Sequence, residues 1–195
     1  RDRVEMSYEY ASLLPKKDQA YKDYQKFVEV FGEEGNLIIV GIQDSNFFEI
    51  DHFNAWKELS DNLTKVEGVE NLVSISNTYN LKKNKEEKRF EVEMIFPDTI
   101  ANQEELDGYV AEFARLPFYR GLVYNDKTQT YLLAITVNKD KMASQAREEM
   151  VAGIQKVCHA FEAKQNVKLH YSGLPYIRVV NSIKIKRHGY NKKMV

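Results

Sequence analysis

The sequence predicts an α+β fold made of ferredoxin-like split βαβ sandwiches, and three observations lead there. Apolar stripes at helical spacing alternate along the chain with short strand patterns. Several strands follow one another closely enough to be hairpin neighbours. Only one segment, Asn36 to Asp44, has the continuous apolar run of a strand buried on both faces, where a parallel sheet would require several. The predicted order, β-α-β-α-β-β-α-β-β-α-β, suits two small α/β sandwiches, or one with additions, within 195 residues.

The elements follow in turn. Val4, Met6, Tyr8 and Tyr10 alternate with polar residues, as in a half-buried strand that Leu13-Leu14-Pro15 ends. Asp18 can cap a helix whose stripe is Tyr21, Tyr24, Phe27, Val28 and Phe31, closed by Gly32. After the Asn36–Asp44 strand, Ser45 or Asp51 opens a helix with Phe53, Trp56, Leu59, Leu63 and Val66 inward, and Gly68 stands where a C-cap belongs. Val69 to Ser76 reads as the next strand. Lys82 to Arg89 (KKNKEEKR) is a solvated hairpin or loop, and Phe90, Val92, Met94 and Phe96 line one face of the strand after it. Gln103 to Leu116 is a helix ended by Pro117. Leu122–Tyr124 and Thr130–Val137 form a hairpin across Asn125-Asp126-Lys127. Ser144 to Gln165 is the longest helix, with Ala146, Met150, Ile154, Val157, Cys158 and Phe161 inward and Asn166 as its cap; Val167 to Tyr171 is the final strand.

Composition narrows the function classes. A net charge of -1 offers no basic stripe for nucleic acid. No run approaches the ~20 apolar residues of a membrane span, and the chain opens on Arg1, as expected of a processed protein or an excised piece. The lone Cys158 rules out an internal disulfide and sits in an apolar stripe, as a core residue does. His52, His159, His170 and His188 are too scattered for a metal motif, and no nucleophile elbow or glycine-rich phosphate loop occurs. The acidic pairs Glu104-Glu105 and Glu148-Glu149 fall in first helical turns, where they complement the helix dipole. Neither catalysis nor a cofactor is expected. The loop-borne aromatics Phe47-Phe48 and Phe118-Tyr119 are the best site candidates: they can line a path for an apolar ligand, or plug the open end of the sandwich.

Taken together, these segments resemble the first extracytoplasmic loop of exporters of the RND superfamily, in the MMPL-like, hydrophobe/amphiphile efflux branch. In that family a Leu-Pro, an acidic residue and a helix ending in Phe-Gly precede a buried strand. Here these are Leu14-Pro15, Asp18, Phe31-Gly32 and Leu37 to Val40. Gly68-Val69-Glu70-Asn71-Leu72-Val73-Ser74 is similar to the family's turn and strand, with its second valine shifted by one. Before its second membrane helix the family has a Gly-Leu-Pro followed by a mixed helix, and Gly173-Leu174-Pro175 with the run to Arg187 is similar to it. The tail, His188 to Val195, departs by not becoming hydrophobic.

The resemblance implies a porter-domain type of fold, organised as residues 1–35 following a first membrane helix, 36–172 as the α+β porter region in one or two lobes, and 173–195 as a connector with its turn at Gly173 and Pro175. Ile177, Val179, Val180, Ile183 and Ile185 would then approach the membrane, with Lys184, Lys186 and Arg187 near its water boundary. It implies a proton-driven exporter of lipid-like molecules at the extracytoplasmic (periplasmic) face of a bacterial inner membrane. The partners would be the membrane helices and second periplasmic loop of the same chain, and Phe47, Phe48, Phe118 and Tyr119 would border the substrate path. A free-standing periplasmic ligand-binding or assembly module is the alternative reading.

Overall fold

The computed structural model describes residues 36–84, 89–143 and 146–191, all within one compact unit, Gly35–Val195. The N-terminal strand and helix expected before Gly35 lie outside the described residues, as do the motifs at Leu14-Pro15, Asp18 and Phe31-Gly32.

The fold is α+β, with antiparallel sheets. Strand β1 (Leu37–Gln43) leads to helix α1 (Ile50–Thr64) and strand β2 (Val69–Ser74). A two-stranded ribbon, β3 (Tyr79–Asn84) and β4 (Arg89–Met94), precedes helix α2 (Gln103–Phe113). Short strand β5 (Tyr124–Asn125) and long strand β6 (Thr130–Val137) follow, then helix α3 (Lys139–Ala143), helix α4 (Ala146–Gln165), strand β7 (His170–Ser172) and helix α5 (Leu174–Asn191).

The main sheet has the order β2-β6-β1-β7, with β5 added beside β6, and every pairing in it is antiparallel. Sequence neighbours β1 and β2 are therefore not spatial neighbours. Helix α1 makes the crossover between them, and α4 makes the crossover between β6 and β7. The ribbon β3-β4 stays outside this sheet.

Period-2 alternation builds the core. On β6, Tyr131, Leu133, Ile135 and Val137 are buried while the residues between them are half-buried. Their cross-strand partners Ile42, Val40 and Ile38 are buried on the same face of β1. Against this face pack Phe53, Trp56, Leu59 and Leu63 of α1 and Met150, Ile154, Cys158 and Phe161 of α4. Each fully buried large side chain of this kind removes enough apolar surface to favour folding by about 1.5–3 kcal/mol.

Several sequence expectations need correction. β1 is buried on one face only; Leu37 and Ile39 on the other are half-buried, because both helices lie on one side of the sheet. Helix α1 begins at Ile50 behind Glu49, so Ser45 does not open it, and its C-cap is Lys65. Gly68 instead lies in the turn before β2, at φ +95°, a conformation glycine adopts without steric cost. Of the two alternatives for the charged stretch, the hairpin is the one formed: Lys82–Asn84 end β3 and pair with Arg89–Glu91 at the start of β4. On β4, Val92 is 65% exposed. The last strand is shorter and later than Val167–Tyr171, since Asn166 in the left-handed region (φ 53°) and the Val167 N–H to Glu162 carbonyl bond carry the end of α4.

The segment after Gly173 is a helix from its next residue. The Gly173 carbonyl accepts from the Ile177 N–H at 3.1 Å, and Pro175 occupies the first turn, where its missing N–H costs nothing. Val179 of this helix is buried in the core, and Tyr176 stacks on Tyr171 with ring centroids 5.0 Å apart. No described helix is both long and apolar enough to cross a membrane.

Candidate functional site

The turn after β1 is held by local hydrogen bonds that aim Phe47 inward. Asp44 Oδ1 accepts from the Asn46 N–H at 2.8 Å, and Asp44 Oδ2 lies 2.9 Å from His52 Nδ1 on the first turns of α1. Gln103 clamps the same turn to α2: its Nε2 donates to the Phe48 carbonyl, and its Oε1 accepts from the Ile50 N–H. Phe47, 2% exposed, stacks on Tyr131 with ring centroids 3.6 Å apart and meets Trp56 edge-on at 5.4 Å. Burial, with the nearby Asp44 charge as a second cause, pushes the Tyr131 hydroxyl up to about 12. Phe48 is half-buried beside Phe47 and Phe53.

Phe118 and Tyr119 lie on a 3-10 turn, Pro117–Tyr119. Phe118 is 74% exposed. The Tyr119 hydroxyl accepts from the Tyr79 N–H at 3.0 Å and donates to the Tyr79 carbonyl at 2.8 Å, which ties the turn to the start of the ribbon. The two aromatic pairs, about 70 residues apart in sequence, are joined through one chain of rings. Phe47 meets Phe53 at 6.0 Å, Phe53 meets Phe96 at 4.7 Å, Phe96 meets Phe113 at 5.7 Å, and Phe113 meets Tyr119 at 5.5 Å. Such pairs contribute about 0.5–1.5 kcal/mol each beyond their buried area. One end of this ladder is core and the other, at Phe118, faces solvent.

A buried polar cluster lies where α1 meets β2. Trp56 Nε1 donates to Ser74 Oγ at 2.9 Å, and Ser60, Ser74 and Ser76 hydroxyls converge around it. Cys158 is fully buried, and burial pushes its thiol up to about 12. Burial likewise raises Tyr171, whose hydroxyl lies near Cys158 and Glu162. His52 bonds Asp44, while His159 and His170 are exposed, and no group of three metal-ligating side chains occurs among the described residues.

One concavity among the described residues was not among the features read from the sequence. It is a groove of about 470 Å³ between α1 and α4. The helices run antiparallel there: Glu58 meets Lys164 at 2.7 Å, and Gly153 faces Val66 further along. Small residues on each side, Ala55 and Ala160, keep the groove open, with Leu59, Val157 and Phe161 as its floor. The signal was present as the small residues flanking each stripe, but which helices would face each other depends on the crossovers.

No protein-family model matches this chain, and no curated protein sequence matches it significantly.

Proposed function

We propose that this chain is the extracytoplasmic porter domain of a proton-driven RND-superfamily exporter of hydrophobic or amphiphilic, lipid-like molecules, built on a ferredoxin-like split βαβ sandwich. The observation that carries the fold reading is the strand order β2-β6-β1-β7, all antiparallel, with α1 and α4 as crossovers on one face. The middle segment, with its ribbon and α2, is then an addition to one sandwich and not a second one.

The family reading rests on the order of its motifs along the sequence. It is supported by the abrupt start of a helix after Gly173, as the Gly-Leu-Pro resemblance expects. On this reading the domain is a transport component and not an enzyme. Proton coupling belongs to membrane helices elsewhere in the protein, and the second periplasmic loop completes the pathway. Phe118 and the ring ladder behind it border the substrate path, with Phe48 and Tyr119 contributing partly covered faces. Phe47 then acts from beneath, by fixing the turn that carries Phe48.

The test is topological. Single cysteines placed near Arg1 and Val195 in the full-length gene product are labelled from either side of the membrane. Extracytoplasmic labelling at both positions, with apolar spans of ~20 residues just beyond, is expected. A water-soluble full-length product would overturn the reading and leave a free-standing ligand-binding module.

A further inference from the structure

We infer that the groove between α1 and α4 binds a single-chain anionic amphiphile, with its chain along the helix seam and its head on Lys65 and Lys156. This deepens the proposed function by naming a ligand class and a seat for it, and to that extent rests on that reading.

Shape selects the chain. The groove runs from Ala55 on α1 to Val66 just past its C-cap, eleven residue steps, or about 16 Å at the helical rise. Its volume of about 470 Å³ falls among small-molecule sites. A narrow groove of this length, with Leu59, Val157 and Phe161 beneath it, fits a long, thin, apolar ligand.

Charge selects the head. Three lysines and one glutamate line the groove, a local excess of two positive charges. Glu58, the only acid in the lining, is engaged by Lys164. Lys65 donates to the Asn62 side chain at 3.2 Å and, like Lys156, meets no carboxylate among the described residues. The antiparallel register puts Lys65 and Lys156 toward one end of the groove, and the Glu58–Lys164 pair toward the other. An anionic head at the first end gains two cations without breaking an existing pair, whereas a cationic head gains nothing there. Flexible lysine stems can follow the head while their methylenes cover the chain.

The probe is dodecanoate, kept below its micelle concentration and titrated into the isotope-labelled chain. Dodecyltrimethylammonium serves as the charge-reversed control. Saturable shifts confined to α1 and α4 are expected for dodecanoate, and at least tenfold weaker binding of the cation. Ala160→Trp, at an exposed position, fills the groove and should weaken dodecanoate at least tenfold while the fold is retained. Lys65→Glu with Lys156→Glu should invert the preference between the two probes. Equal binding of both probes, or undiminished binding by Ala160→Trp, overturns the proposal. So does concentration-dependent self-association through α1 and α4, which would make a second copy the occupant. The outcome is separable from the topology test: loss of binding with membrane spans intact refutes the groove alone, and binding without spans refutes the exporter alone.

Discussion

Replacing Gly173 by alanine should be among the most damaging single-methyl changes this protein can suffer. Gly173 sits at φ +106°, in a region that side-chain-bearing residues rarely adopt, and holding alanine there costs about 1–3 kcal/mol. Its new Cβ would lie 2.2 Å from the Leu37 carbonyl oxygen and 3.1 Å from Ile38 Cα. Both are backbone atoms of the central strand region, so no rotamer change relieves the clash. Displacing packed backbone adds a similar amount, about 1–3 kcal/mol. Alanine also restricts the unfolded chain, which returns about 0.4–1 kcal/mol. The net loss is therefore about 1–5.5 kcal/mol, and near 3 kcal/mol the melting temperature should fall by roughly 6–12 °C. Urea unfolding followed by circular dichroism gives the number directly. Gly108→Ala is the control: it lies within α2, nothing stands within 4 Å of an added Cβ, and it should stabilise by about 0.5–1 kcal/mol. If Gly173→Ala unfolds within about 0.5 kcal/mol of the parent, the close approach of this turn to β1 is wrong, and with it the account of how α5 is launched.

Three further outcomes are expected. Phe47→Ala should cost about 3–5 kcal/mol, as for other buried phenylalanines, whereas Phe118→Ala should stay within about 0.5 kcal/mol; chemical denaturation separates them, and equal losses would refute the core and surface ends assigned to the ring ladder. Trp56→Phe should cost about 1–3 kcal/mol, because the hydroxyl cluster at Ser74 loses its indole donor while the ring is largely replaced. The Cys158 thiol, pushed up to about 12 by burial, ionises near 8.5 once unfolded, so the unfolded state binds fewer protons between those values and stability falls as pH rises through that window. The limiting slope is about 1.4 kcal/mol per pH unit, and Cys158→Ala should lose most of it between pH 9 and 10. An unchanged slope in that variant would show the thiol to be solvated in the folded state.

Periodicity made much of the scaffold legible in advance. The stripe Phe53, Trp56, Leu59, Leu63 could only be one face of a helix, and Met150, Ile154, Cys158, Phe161 another, since spacing fixes which side chains share a face. Tyr131 to Val137 declared itself by alternation, and Asn166 by its place after a long stripe. Local polarity left hairpin and loop both open between Lys82 and Arg89, and only the backbone pairing of β3 with β4 decided for the hairpin. Gly68 misled because glycine after a stripe signals a cap, while this chain used it for the turn into β2. Among the site candidates, sequence could name Phe47, Phe48, Phe118 and Tyr119 as loop aromatics, but burial separates Phe47 at 2% exposure from Phe118 at 74%.

The sequence by itself determined the element types and the inward faces, because both follow from side-chain spacing along a regular backbone. Only the tertiary structure decided that β6 inserts between β1 and β2, that α1 and α4 therefore meet, and that a lysine-rimmed groove opens between them. Those features depend on contacts between residues about a hundred positions apart, whose pairing no local period encodes.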